Sequence, residues 1–197
     1  MKETVIITGP SSVGKSTYAK KYYTSWDIIE SDGILWDKLS NMSENRQPNY
    51  PYRPIRKKVE EKIYQEMYNE SIDKQRVVFV VNDEKPLKDI LDNKHIDHKI
   101  ILIGTNLTRL VKNVNMRKDR PISGVLSDYS KFFKPANGDK IDNNDIYVRK
   151  SSLDKFENVT SKDEKNIEKF KNKYFPNDTK TNYVEPVNYY KYLVIII

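Results

Sequence analysis

The chain of 197 residues contains no cysteine. This excludes disulfides and thiolate metal sites and fits an intracellular setting. Histidine is nearly absent as well: His95 and His98 lie in one polar stretch with no third ligand nearby, so a histidine-based metal centre is not expected and both rings are read as solvent-exposed. Long apolar runs are also missing. The longest, Tyr192 to Ile197, has the length of a strand and falls far short of a membrane span. Met1-Lys2-Glu3-Thr4 lacks the charged-then-apolar layout of a signal peptide. A cytoplasmic protein with no membrane partner is the expectation.

Basic residues outnumber acidic ones, 35 Lys and Arg against 28 Asp and Glu, for a formal charge of +7. Such a field attracts phosphorylated ligands and permits nucleic-acid binding, although charges of both signs are interspersed along the chain and a solvated lysine-rich surface accounts for much of it. The length suits a single domain, 1–197, with a core of ordinary size.

Thr4 to Thr8 is β-branched throughout and stops at Gly9, which predicts a fully buried strand followed by a tight turn. From Lys15 the spacing of Ala19, Tyr22 and Tyr23 predicts a helix. A second strand is expected over Trp26 to Glu30, a helix from Pro54 to about Glu70 with Ile55, Val59, Ile63 and Met67 along one face, and further strands at Val77 to Val81 and Lys99 to Ile103. Thr108 to about Lys118 and Glu164 to Tyr174 read as helices, Tyr189 to Ile197 as a last strand, and 119–144 as loops with room for one short helix. Alternating strands and helices predict an α/β fold, a mostly parallel sheet covered by helices on both faces.

Gly9-Pro10-Ser11-Ser12-Val13-Gly14-Lys15-Ser16 has the spacing of a phosphate-binding loop, continued by Thr17. The two glycines let the backbone turn so that successive N–H groups face phosphate oxygens. Lys15 supplies a cation to the outer phosphates, Ser16 a hydroxyl to Mg²⁺, and the following helix its positive dipole end. Chance would produce the pattern in roughly one chain of this length in 150, and the strand before and helix after it make coincidence rarer still.

Asp32 follows the second strand, where a carboxylate could take a proton from an attacking hydroxyl; Ser31-Asp32-Gly33 also has the composition of a turn. Val77 to Val81 followed by Asn82-Asp83 has the form of a strand ending in a metal-holding carboxylate. Asn82 stands where the first acid is expected, so Asp83 is the candidate metal ligand beside Ser16, with an Asx turn as its other reading. Arg109, Arg117 and Arg120, with Pro121 and Gly124 after them, have the makeup of an arginine-bearing lid over about 109–135. Tyr50, Tyr52, Arg53, Arg56, Lys57 and Lys58 form a basic, aromatic cluster suited to an acceptor phosphate or a base, or to solvent.

In this order, Gly9 to Thr17, Asp32, Val77 to Asp83 and Arg109 to Phe133 resemble P-loop kinases, above all chloramphenicol phosphotransferase-like and zeta-toxin-like kinases. The loop Gly-Pro-Ser-Ser-Val-Gly-Lys-Ser-Thr and the Tyr-Tyr-Lys-Tyr-Leu-Val-Ile-Ile end are also similar to guanylate kinases. The resemblance implies a P-loop NTPase fold of kinase type, ATP and Mg²⁺ as cofactors, Asp32 as general base, and Lys15, Arg117 and Arg120 stabilising charge. The implied acceptor is a small-molecule hydroxyl or phosphate, with a nucleoside monophosphate or a nucleic-acid 5′ end as alternatives. The missing acid at Asn82 leaves a non-catalytic nucleotide switch as a third reading. Here the lid motif, Arg117-Lys-Asp-Arg120-Pro-Ile-Ser-Gly124, is one residue longer before its glycine than the family's pattern, and 138–185 matches no known motif.

Overall fold

The computed structural model describes residues 2–35, 53–117, 128–133, 161–174 and 193–197. They fall into two compact units, Met1–Thr8 with Gly14–Leu102 and Gly9–Val13 with Ile103–Ile197. Five strands, β1 (Glu3–Thr8), β2 (Asp27–Glu30), β3 (Arg76–Val80), β4 (Lys99–Gly104) and β5 (Leu193–Ile196), join in one sheet in the order β2-β3-β1-β4-β5.

In the first unit β1 pairs in parallel with β3, Val5 opposite Val78 and Ile7 opposite Val80. On its other side β1 pairs in parallel with β4, Ile7 opposite Ile101 and Thr8 opposite Leu102. Strand β2 extends the sheet beyond β3, again in parallel, with Ile29 opposite Phe79. The continuous apolar runs of β1, β3 and β4 follow from this placement: Ile6, Ile7, Val77, Val78 and Phe79 are fully buried, because both faces of a central parallel strand are covered. Phe79→Ala should therefore lower stability by about 3–5 kcal/mol in denaturant unfolding, the usual effect of emptying an aromatic site in a close-packed core.

Helices α1 (Lys15–Tyr22), α2 (Arg53–Glu70) and α3 (Lys85–Asn93) belong to the same unit. Lys15 and Ala19 are the buried residues of α1, while Tyr22 is exposed. Ile63 and Met67, one turn apart on α2, are buried as the periodicity predicts. The sequence reading contains no helix at α3, yet its structural reasons are local. Asp83 Oδ1 accepts a hydrogen bond from the Lys85 backbone N–H at 3.1 Å, Pro86 sits in the first turn, and Leu87 and Leu91 are fully buried. The helix closes in a Schellman arrangement, with Ile96 N donating to Leu91 O at 3.0 Å and His95 N to Asp92 O at 3.0 Å. His95 takes the left-handed position there, with φ 54°. His98 differs from expectation. Its side chain is only 8% exposed, with Nδ1 2.9 Å from the Ile96 carbonyl.

The second unit contains α4 (Leu107–Arg117), α5 (Ser161–Tyr174) and β5. Leu107, Leu110 and Val114 form the buried stripe of α4, and Tyr129, Phe132, Phe133, Phe170 and Tyr174 are buried as well. Gly104 has no side chain because there is no room for one: a Cβ would stand 2.6 Å from Phe133 Cζ and 2.8 Å from Ile196 Cδ1. The end of β5 is tied to that glycine, with Ile197 N donating to Gly104 O at 3.0 Å.

Candidate active site

The segment from Gly9 to Lys15 leaves β1 and enters α1 through a run of unusual backbone conformations. Gly9 has φ 140°, Ser12 66° and Gly14 99°. For Gly9 and Gly14 this is the reason for glycine, and Gly9 carries a second constraint, since a Cβ would lie 2.2 Å from Ile103 O. Ser12, a non-glycine residue in the left-handed region, turns the chain so that neighbouring N–H groups can converge, the geometry of an anion-binding nest. Helix α1 begins at Lys15 with no side-chain cap at Gly14, and the positive end of a helix dipole favours an anion there.

In the second unit the loop is held from two directions. Asn113 on α4 donates through Nδ2 to Ser12 O at 2.9 Å, and Ser11 Oγ donates to Asp128 Oδ2 at 2.9 Å. Neither Asn113 nor Asp128 is predicted by the sequence reading; each lies about a hundred residues from its partner with no local motif to mark it. Ser12 Oγ is buried without a hydrogen-bond partner.

In the first unit polar residues from the ends of β2 and β3 reach the start of α1. Lys15 is buried, and its Nζ donates to Asn82 Oδ1 at 2.8 Å. Asn82 Nδ2 in turn donates to Asp32 Oδ1 at 3.1 Å. Asp32 lies in the first turn of a helical segment, 31–35, rather than in the turn that Ser31-Asp32-Gly33 resembles. Ser16 Oγ donates to Glu30 Oε2 at 2.8 Å, and the other Glu30 oxygen is 3.4 Å from Lys20 Nζ. Thr8 Oγ1, at the end of β1, donates to the buried carboxylate of Glu84 at 2.9 Å.

Lys15, Ser16 and Asp32 thus come together. Asp83 is not among them: it is exposed, and its Oδ1 accepts from Lys85 N in an Asx-type turn leading into α3. The acids beside Ser16 and at the end of β1 are Glu30 and Glu84 instead. Arg109 is exposed on α4. Arg120 with the rest of 118–127, residues 134–135, Tyr50 and Tyr52 lie outside the described residues, as do the side chains of Arg117, Arg53, Arg56, Lys57 and Lys58.

Among the described residues no group of three or more His, Asp or Glu is arranged to hold a metal ion. Mg²⁺ keeps several waters and takes one or two protein oxygens together with a substrate's phosphates. Ser16 Oγ and Glu30 are oxygen donors of the right chemistry at the right end of the loop. No described helix is long and apolar enough to cross a membrane.

No family model matches the chain, and no curated protein matches it. Solved structures do. The tunicamycin resistance protein of Deinococcus radiodurans is similar at 13% identity over 66% of this chain and 79% of that one, with a TM-score of 0.48. A gluconokinase from Sinorhizobium meliloti 1021 is similar at 14% identity over 64% and 72%, TM-score 0.46. A shikimate kinase from Bacteroides thetaiotaomicron is similar at 15% identity over 61% and 68%, TM-score 0.43.

Proposed function

We propose that the chain is an ATP-dependent kinase that moves the γ-phosphoryl group to a hydroxyl of a small molecule. The observation that carries this reading is the linked set Lys15, Asn82 and Asp32: a buried cation at the phosphate loop, joined by two hydrogen bonds to a half-buried carboxylate. A loop that only stores nucleotide has no use for that carboxylate, whereas transfer to a hydroxyl needs a group to take its proton.

Backbone N–H groups of Gly9 to Ser16 and the Lys15 ammonium bind the β- and γ-phosphates. Asp32 accepts the acceptor's hydroxyl proton as its oxygen bonds to the γ-phosphorus and the bond to the β-bridging oxygen breaks, leaving ADP. Arg117 and Arg120 are assigned to the equatorial oxygens of the transferring group, which planar guanidinium ions match well. Mg²⁺, when bound, would neutralise phosphate charge, and Ser16 and Glu30 would hold it. The partnerless Ser12 hydroxyl supports the reading, because a buried donor without an acceptor is destabilising and a phosphate oxygen supplies one.

ATP consumption measured against a panel of alcohols, sugars, nucleosides and nucleoside monophosphates tests the proposal. Phosphorylation of at least one hydroxyl acceptor is expected. Nucleotide binding with no consumption under any acceptor would replace the kinase by a switch, and turnover confined to an oligonucleotide 5′ end, falling steeply with salt, would replace the small acceptor.

A further inference from the structure

We infer that Asn82 is a positioning residue of the phosphate site, holding Lys15 through a neutral oxygen and Asp32 through an N–H without itself adding a charge beside either; this rests on the nucleotide reading above. The two neighbours make opposite demands. An ammonium only donates hydrogen bonds and an ionised carboxylate only accepts them, so a residue between them must offer an acceptor to one and a donor to the other. A side-chain amide does both on one rigid plane. Oδ1 accepts from Lys15 Nζ at 2.8 Å while Nδ2 donates to Asp32 Oδ1 at 3.1 Å. The reversed amide would set N–H against ammonium and C=O against carboxylate, so the partners themselves fix its orientation.

A carboxylate of the same shape would fail on both sides. Towards Asp32 it would place two like charges at hydrogen-bond distance. Towards Lys15 it would form a charge-assisted pair that an incoming phosphate has to break. The amide avoids both, orienting Lys15 without placing a negative charge against it. Asn82 is therefore better suited to this pair of neighbours than the acid expected at that position.

Titration of a fluorescent ATP analogue with Mg²⁺, followed by fluorescence, separates this role from simple packing. Asn82→Ala removes the orientation but leaves Lys15 charged, so affinity should weaken modestly, about fivefold. Asn82→Asp keeps the shape but captures Lys15, so affinity should weaken more, by about fiftyfold. The isosteric change being worse than the truncation is the signature that a packing role would not produce. The double variant Asn82→Asp with Asp32→Asn removes the carboxylate repulsion and guards against a misfolded single variant. Its melting temperature should return towards wild type while its affinity stays as weak as that of Asn82→Asp. Equal losses in Asn82→Ala and Asn82→Asp, or wild-type affinity in the double variant, would overturn the inference and leave nucleotide binding standing. A wild-type protein that does not bind the analogue overturns the nucleotide reading and this inference with it.

Discussion

Replacing Asp32 with asparagine is expected to leave nucleotide affinity near wild type and to lower phosphoryl transfer by about a hundredfold or more, the usual contribution of a general base. The surroundings make this substitution clean. Asp32 Oδ1 accepts from Asn82 Nδ2 at 3.1 Å, and an asparagine oxygen can accept the same bond, so the link from Lys15 through Asn82 survives. What disappears is the negative charge and the site for a proton. Rapid-mixing turnover with saturating ATP, beside a binding titration, measures the two effects separately. Turnover equal to wild type would remove Asp32 from the chemistry, and a parallel fall in affinity and turnover would make it a structural residue.

Gly9→Ala should be comparably severe, by a different route. The new Cβ would meet Ile103 O at 2.2 Å, and the backbone there has φ 140°. A backbone carbonyl within a strand cannot swing aside as a side chain can, and a non-glycine residue is strained at that φ. Together these effects should destabilise the protein by about 3 kcal/mol or more and abolish nucleotide binding by displacing the loop. Gly104→Ala is the matched control. Its added methyl would meet the ends of the Phe133 and Ile196 side chains, which can shift, so a loss of about 1–3 kcal/mol with nucleotide binding retained is expected. Denaturant unfolding and nucleotide titration on both variants compare them directly.

The sheet was legible in the sequence because central parallel strands must be apolar on both faces, and runs such as Val77 to Val81 meet no other need. The tight loop between β1 and α1 was legible because its two glycines sit where the backbone takes positive φ. Helix α3 was missed because Asp83 and Pro86 look like turn residues when read alone; the spacing of Leu87, Ile90 and Leu91 was the available signal. The partners of the loop were hidden for another reason. Glu30, Asn113 and Asp128 reach it through contacts that join distant segments, and nothing local distinguishes these residues from other polar side chains. At Asn82 the sequence showed only a missing acid. The structure shows two hydrogen bonds, one accepted from Lys15 and one donated to Asp32, and an ionised acid could make only the first.

Ser12 bears on how the empty protein is poised. Its left-handed backbone, at φ 66°, and its buried, partnerless hydroxyl both raise the free energy of the ligand-free state. Ser12→Gly would relax the first and delete the second, so a more stable apoprotein that grips phosphate less tightly is the expected exchange. On the proposed function, an anion entering the loop would offset that latent instability in the native chain. The melting temperature should therefore rise further on nucleotide binding in the native protein than in the glycine variant.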